Sequence, residues 1–367
     1  MFDRRLVQYF DWGLLGTVFL LGSLGLVVLY SAVRAGPFSP HEILFSKQLI
    51  WFGAGLMVMV ASFLFNYKRL DQWTYLIYGV CIVLLICVLL FGKQFGGSRR
   101  WLTIDWISIQ PSEFVKIAVI ICLARHYSGL INPKGLTLRQ LFIPLILTAI
   151  PFVLILKQPD LGTAMLIVLI VGSMTIFAKI ERRSFIYILI SGAVFTPLVW
   201  FLLKGYQKQR LLTFFNPDQD PLGTGYHIIQ SKIAIGSGMI FGKGFLKGTQ
   251  NALSFLPEQH TDFIFSVLAE EWGFVGSVII FLVFLMLIVC SLNIAYRCRD
   301  PFGTMISVGI TIMISWQVFI NIGMVMGLMP IVGVTLPFIS YGGSSIITMM
   351  ASIGILMNIA MRRFMFE

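Results

Sequence analysis

The chain has 367 residues, 57% of them hydrophobic and 12% charged, about half the charged share of an ordinary soluble domain, with a mean hydropathy of +0.89. These values exclude a soluble globule, and at roughly 20 residues per helical crossing they leave room for about ten spans and their loops. The net charge of +11 would indicate nucleic acid in a soluble chain, but Lys and Arg here anchor span ends at the cytoplasmic surface, so no nucleic-acid partner is expected.

Arg4 and Arg5 precede an apolar stretch over 13–33, too long for the core of a cleavable signal peptide, which reads as a retained first span. Further apolar windows fall at 48–66, 73–92, 112–128, 140–157, 161–178, 184–203, 264–294, 302–327 and 341–361, each bounded by charge or turn residues. The fold class expected is an all-α polytopic membrane protein, a single integral membrane domain over 1–367 with ten transmembrane helices and both termini on one side. Placing that side in the cytoplasm gives fourteen Lys and Arg to the inner loops and ends against six in the short outer loops, the bias of the positive-inside rule. Carboxylates lean the other way, with Glu42, Asp105, Asp160, Asp218, Asp220, Glu258 and Asp262 on or near the outer side. The one long connection, 204–262 between spans 7 and 8, sets Tyr206, Phe214, Phe215, Tyr226 and several isoleucines among glycines. It reads as a structured extracytoplasmic cap, and long structured loops are more often functional than connective. Cys81, Cys87, Cys122 and Cys290 sit in apolar runs and Cys298 in a basic loop, a spacing that implies neither a disulfide nor a zinc site.

Five strings could carry chemistry. Gly96-Gly97-Ser98-Arg99-Arg100-Trp101 puts two arginines on a glycine hinge; their planar forks suit phosphate, whether of ordinary lipid headgroups or of a dedicated diphosphate site. Gln110-Pro111-Ser112-Glu113-Phe114-Val115-Lys116 opens the fourth span, where Glu113 and Lys116 share a helix face. An unpaired charge in a span costs about 2.5 to 3.5 kcal/mol, so the two should face the bundle interior, as a structural ion pair or as the lining of a substrate cavity. Lys157-Gln158-Pro159-Asp160-Leu161-Gly162 breaks the chain between the fifth and sixth spans, with Asp160 either a helix cap or a cavity-facing carboxylate. Leu256-Pro257-Glu258-Gln259-His260-Thr261-Asp262-Phe263 ends the long loop where the eighth span begins. There Thr261 or Asp262 could cap the first helical turn, or Asp262 could be a carboxylate held at the membrane boundary under the basic loop. His260 beside it reads equally well as a solvated interfacial side chain. Leu336-Pro337-Phe338-Ile339-Ser340-Tyr341-Gly342-Gly343-Ser344-Ser345 opens the last span with small residues, for which close helix packing is the default. In the eighth span, Glu270 and Glu271 are expected in a buried polar contact, and Gly273 and Gly276 leave a bare stripe for a partner helix.

Taken in order, Gly97–Trp101, Gln110–Glu113, Gln158–Thr163, His260–Phe265 and Pro337–Ser345 resemble the SEDS family (shape, elongation, division and sporulation proteins) over nearly the whole chain. Gly242–Gln250 ahead of Phe255–Glu258 is similar to the branch that acts in elongation. The resemblance implies a ten-helix bundle that joins lipid II units into glycan on the outer side of the cytoplasmic membrane. It implies work with a class B penicillin-binding protein and other elongation-complex proteins on lipid II and undecaprenyl-linked glycan. In such an inverting transfer Asp262 is the candidate base. Arg99, Arg100, Arg210 and the loop lysines are candidates for the diphosphate, with Glu113, Lys116, Asp160, His260 and Ser344 in binding or support. A divalent cation, Mg2+ or Mn2+, is expected with its ligands unassigned. The competing class is a transporter of the lipid-linked precursor, which an intramembrane Glu113–Lys116 pair would suit; a third reading is a noncatalytic scaffold, in which Asp262 is dispensable.

Overall fold

A computed structural model describes residues 9–34, 42–95, 98–104, 107–130, 135–202, 205–216, 223–253, 255 and 259–362. Arg4, Arg5, Gly96, Gly97, Asp105, Asp218, Asp220, Leu256, Pro257 and Glu258 lie outside them, as do the side chains of Glu42 and Tyr206.

Each apolar window is occupied by a helix. In chain order these are α1 (Trp12–Arg34), α2 (Glu42–Leu64), the short α3 (Lys68–Gln72), α4 (Thr74–Phe91), α5 (Pro111–Ser128), α6 (Leu138–Lys157), α7 (Leu161–Phe177) and α8 (Arg182–Leu202). Then come α9 (Gly205–Phe215), α10 (Thr224–Ser237), α11 (Thr249–Ala252), α12 (Ile264–Arg297), α13 (Pro301–Val325) and α14 (Gly343–Arg362). Among the described residues seven helices, α1, α2, α4, α6, α12, α13 and α14, are long and apolar enough to cross a membrane. The apolar window of α14 is 89% buried and that of α13 72%, against 17% for α2, so α13 and α14 are core and α2 turns most of its surface outward. α5 belongs to that core as well: Glu113 and Lys116 are buried on it with a run of apolar neighbours, the inward placement that their charge demands.

The all-α expectation needs one correction. Between α4 and α5 the chain forms a three-stranded antiparallel sheet of β1 (Lys93–Phe95), β2 (Ser98–Ile104) and β3 (Ile107–Ile109), in that order. Phe95 pairs with Ser98 and Ile104 with Ile107, so only two residues separate neighbouring strands, the tightest hairpin connection available.

The long connection 204–262 carries α9, α10 and α11, as its aromatic and branched content suggested. α10 lies against the start of α12 and the end of α13. His227 stacks on Phe263 at 5.9 Å, and Ser231 Oγ lies 2.9 Å from Ser266 Oγ while donating to the Val325 carbonyl at 2.6 Å.

α12 is broken at Gly273, whose φ of 66° and ψ of −161° lie outside the helical region. The break strands backbone groups that lipid could not satisfy, and the segment 239–244 takes them up. Phe274 N–H donates to Met239 C=O (2.9 Å) and Val275 N–H to Ile240 C=O (3.1 Å), while Lys243 and Gly244 N–H donate to the Glu270 and Glu271 carbonyls at 3.0 and 2.9 Å. This overturns the partner stripe expected of Gly273 and Gly276. Both glycines are buried; a side chain at Gly273 would strike Ile240 C=O and the Gly242 amide, and one at Gly276 the Trp272 side chain. Their smallness serves the chain's own packing.

Candidate functional site

Asp262 stands just before α12, and the helix is closed by Phe263 at the N-cap with no side-chain cap bond. The N-cap position thus falls one residue beyond Asp262. The backbone of this stretch is fixed, because three consecutive carbonyls are each held. His260 C=O accepts from Tyr341 N–H at 2.9 Å, Thr261 C=O from Ser340 Oγ at 2.7 Å, and Asp262 C=O from Asn321 Nδ2 at 3.0 Å. Ser340 Oγ also accepts from Leu336 N–H at 2.8 Å, closing the turn that presents it. That turn is wedged against α1, where a side chain at Gly25 would strike the Phe338 and Ile339 backbone. It is tied to α2, where Gln48 Nε2 donates to Ser340 C=O (3.1 Å) and Gln48 Oε1 accepts from Gly342 N–H (3.2 Å). The small residues of 336–345 thus do more than pack helices: they cradle the Asp262 segment.

The carboxylate of Asp262 is half-buried and faces Gly333, where an added Cβ would lie 3.1 Å from Oδ2. Gly333 has a φ of +71°, a conformation that favours glycine. The next layer is the first turn of α7, since a side chain at Gly162 would strike Val332 C=O and approach Val334. Asp160 is the N-cap of that helix: Oδ1 accepts from Thr163 N–H (3.2 Å) and Oδ2 from Thr163 Oγ1 (2.9 Å). It also accepts from Gln110 Nε2 at 3.2 Å and faces Arg100 Nη1 at 3.7 Å, while Arg100 Nη2 donates to Pro159 C=O. Gln110 N–H in turn donates to Ser344 Oγ at 2.9 Å, and Ser345 Oγ lies 3.1 Å from Thr335 Oγ1. Polar contacts therefore join Arg100, Asp160, Gln110 and Ser344, while Asp262 lies against Gly333, two residues before the Thr335 that meets Ser345.

One turn below, Lys116 Nζ donates to Glu113 Oε2 at 2.7 Å with 1% and 9% of the two side chains exposed, so these charges neutralise each other in the interior. His260 sets its ring edge-on against Tyr341 at 6.0 Å. Burial pushes the Tyr341 phenol up from its ordinary value, so it stays protonated at neutral pH. Arg99 is exposed on β2 and Arg210 half-buried on α9. Glu270 and Glu271 make the buried polar contacts expected. Glu270 Oε1 receives Lys243 Nζ (2.7 Å) and the amides of Thr249 and Gln250, and Glu271 receives Ser31 Oγ. Sequence reasoning missed Asn321, Gln48 and Gly333. A buried amide on an apolar helix is the only signal the first two offer, and Gly333 offers none beyond a Gly in a loop.

Among the described residues no three His, Cys, Asp or Glu side chains gather as a metal cage. The donors at this mouth fit the looser mode of Mg2+, which takes one or two carboxylates and completes its shell with substrate phosphate and water; Asp262 would be the protein's ligand.

A bundle of long apolar helices in which polar contacts join Arg100, Asp160, Gln110 and Ser344, with the Asp262 segment held by the neighbouring turn at Ser340 and Tyr341, defines a multi-pass membrane protein with a polar cluster at its helix starts. The sequence profile of the FtsW, RodA and SpoVE family, described as cell cycle proteins, matches residues 11–364, and the chain belongs to that family. It is 41% identical to peptidoglycan glycosyltransferase MrdB of Escherichia coli K12, over 92% of each chain. To peptidoglycan glycosyltransferase RodA of Treponema pallidum it is 34% identical, over 98% of this chain and 99% of that one. A solved chain from a peptidoglycan synthase complex superposes with a TM-score of 0.83 at 30% identity, covering 97% of this chain and 98% of the other. The rod shape determining protein RodA of Thermus thermophilus does so with a TM-score of 0.72 at 28% identity and the same coverage.

Proposed function

We propose that this chain is a peptidoglycan glycosyltransferase that joins lipid II disaccharides into β-1,4 glycan during cell elongation, releasing undecaprenyl diphosphate. It does so as a ten-span protein of the cytoplasmic membrane with both termini inside and 204–262 outside. The observation that carries the reading is Asp262, a half-buried carboxylate whose backbone is held at three consecutive carbonyls and whose Oδ2 faces a bare Gly333.

In the reaction the 4-hydroxyl of acceptor lipid II attacks the anomeric carbon of the donor glycan, and the α-linked diphosphate leaves from the opposite face, so configuration inverts. The C–O bond to the diphosphate breaks as the new glycosidic C–O bond forms, and the acceptor proton passes to Asp262. Positioned base catalysis supplies about 10² to 10⁴ in rate. The leaving diphosphate needs positive charge and no acid. Arg100 is committed to Asp160 and Pro159 and Lys243 to Glu270, so Arg99, Arg210 and the other loop lysines are the candidates for that charge. Asp262 would hold a divalent cation, Mg2+ or Mn2+, which would supply further positive charge at the diphosphate. The partner is a class B penicillin-binding protein within a larger elongation complex. A transporter reading draws on the broken α12, since broken helices mark many transporter sites, but the stranded groups of this break are occupied by 239–244.

The test is glycan polymer formed from labelled lipid II in detergent, per folded enzyme and with the partner present. Asp262→Asn should fold and polymerise at least about 10² times more slowly, with Asp262→Glu between it and wild type because geometry matters steeply. Wild-type rates in Asp262→Asn would refute the assignment.

A further inference from the structure

We infer that Asn321 is a positioning residue for the transfer: through the Asp262 carbonyl it fixes where the Asp262 carboxylate stands relative to the loop that faces it. The inference rests on the reading of Asp262 as base.

Asn321 lies on α13, one turn from the end of that helix, and is 0% exposed. Its Nδ2 spends both hydrogens on backbone carbonyls, donating to Asp262 C=O at 3.0 Å and to Val334 C=O at 2.7 Å. Val334 follows Gly333, the residue whose missing side chain leaves room at Asp262 Oδ2. One amide therefore sets the separation between the segment that carries the base and the segment that lines it. The upstream bonds, from Tyr341 N–H to His260 C=O and from Ser340 Oγ to Thr261 C=O, hold the approach. The Asn321 bond acts on the carbonyl of residue 262 itself. Without it the separation between that carbonyl and the 333–334 segment is no longer set by the amide, and the carboxylate can shift relative to Gly333.

The molecule supplies its own control. Asn358, also 0% exposed, lies near the other end of the core, on the last turns of α14, where its Nδ2 donates to the Phe63 and Phe65 carbonyls. Asn321→Ala and Asn358→Ala each remove an amide that bridges two carbonyls, from a place beside the site and a place far from it, and Asn358→Ala also removes the acceptor of the Tyr67 N–H (3.1 Å). Both variants should lose thermal stability. Asn321→Ala should lower kcat for lipid II polymerisation by about tenfold or more, since misplacement by about 1 Å can cost about 10²-fold, with KM nearly unchanged. Asn358→Ala should keep kcat near wild type. In the Asp262→Asn background, adding Asn321→Ala should slow the residual rate by no more than about twofold, because residues acting through one group are not additive.

A wild-type kcat in Asn321→Ala would overturn the inference, as would an equal loss of kcat in Asn358→Ala or full additivity in the double variant. If Asn321→Ala does not fold, Asn321→Leu, which fills the same space and serves neither carbonyl, takes its place, and a wild-type kcat there overturns the inference equally. Asp262→Asn run in parallel separates the two failures. If it is inactive while Asn321→Ala is fully active, the positioning role alone falls; if it is active, the base assignment falls and takes the positioning role with it.

Discussion

Glu113 and Lys116 offer a test in which the structure sets the order. Lys116 is the more deeply buried, with 1% of its side chain exposed against 9% for Glu113, and their heads meet at 2.7 Å. Removing either leaves an uncompensated charge, which in buried pairs costs about 3 to 5 kcal/mol. Because Lys116 is the more deeply buried of the two, Glu113→Gln, which strands the lysine, should be the more damaging. Removing both heads in Glu113→Gln with Lys116→Met exchanges the pair for neutral groups of similar size and should recover most of the loss. Thermal unfolding in detergent at pH 7 should rank wild type and the double variant above Lys116→Met, and Lys116→Met above Glu113→Gln. Additive losses in the double variant would show that the two charges do not stabilise each other. Normal stability with abolished polymerisation in Glu113→Gln would show that the glutamate works on substrate.

Orientation is tested by impermeant thiol labelling from outside intact cells. A cysteine replacing the exposed Lys247 should label and one replacing the exposed Arg182 should not, and the reverse would invert the topology. At Gly273 an alanine would need a positive φ, costing about 1 to 2 kcal/mol, and its methyl would meet Ile240 C=O at 2.6 Å. Gly273→Ala should therefore release 239–244 to protease, whereas Gly53→Ala, with nothing within 4 Å of the added atom, should leave digestion unchanged.

The helices were legible because apolar runs of membrane length carry their own signal, and every window holds one. So was the existence of a site, since the five strings that suggested the family lie far apart in the chain yet meet through Arg100, Gln110, Asp160, Asp262 and Ser344. The sheet was not legible: strands of three to seven residues are too short for alternation to stand out. The role of Gly273 was misread because small residues on a helix look the same whether the neighbour is a foreign helix or the chain's own loop. Asn321 and Gln48 escaped because their meaning lies in carbonyls distant in sequence, 59 residues away for the Asn321–Asp262 bond and 292 for Gln48–Ser340.

The mouth holds two aspartates of identical chemistry, and the structure divides their labour by what it binds. Asp160 commits both carboxylate oxygens to the fold, to the amide and hydroxyl of Thr163 and to Gln110, with Arg100 beside them. A carboxylate whose oxygens are taken up by that many bonds is poorly placed to reach a substrate hydroxyl. Asp262 is located by its main chain, through the carbonyls of residues 260 to 262. Those three backbone bonds do not depend on the identity of the side chain at 262. They stay in place in Asp262→Asn, and that is why replacing the proposed base is expected to remove catalysis and spare the fold.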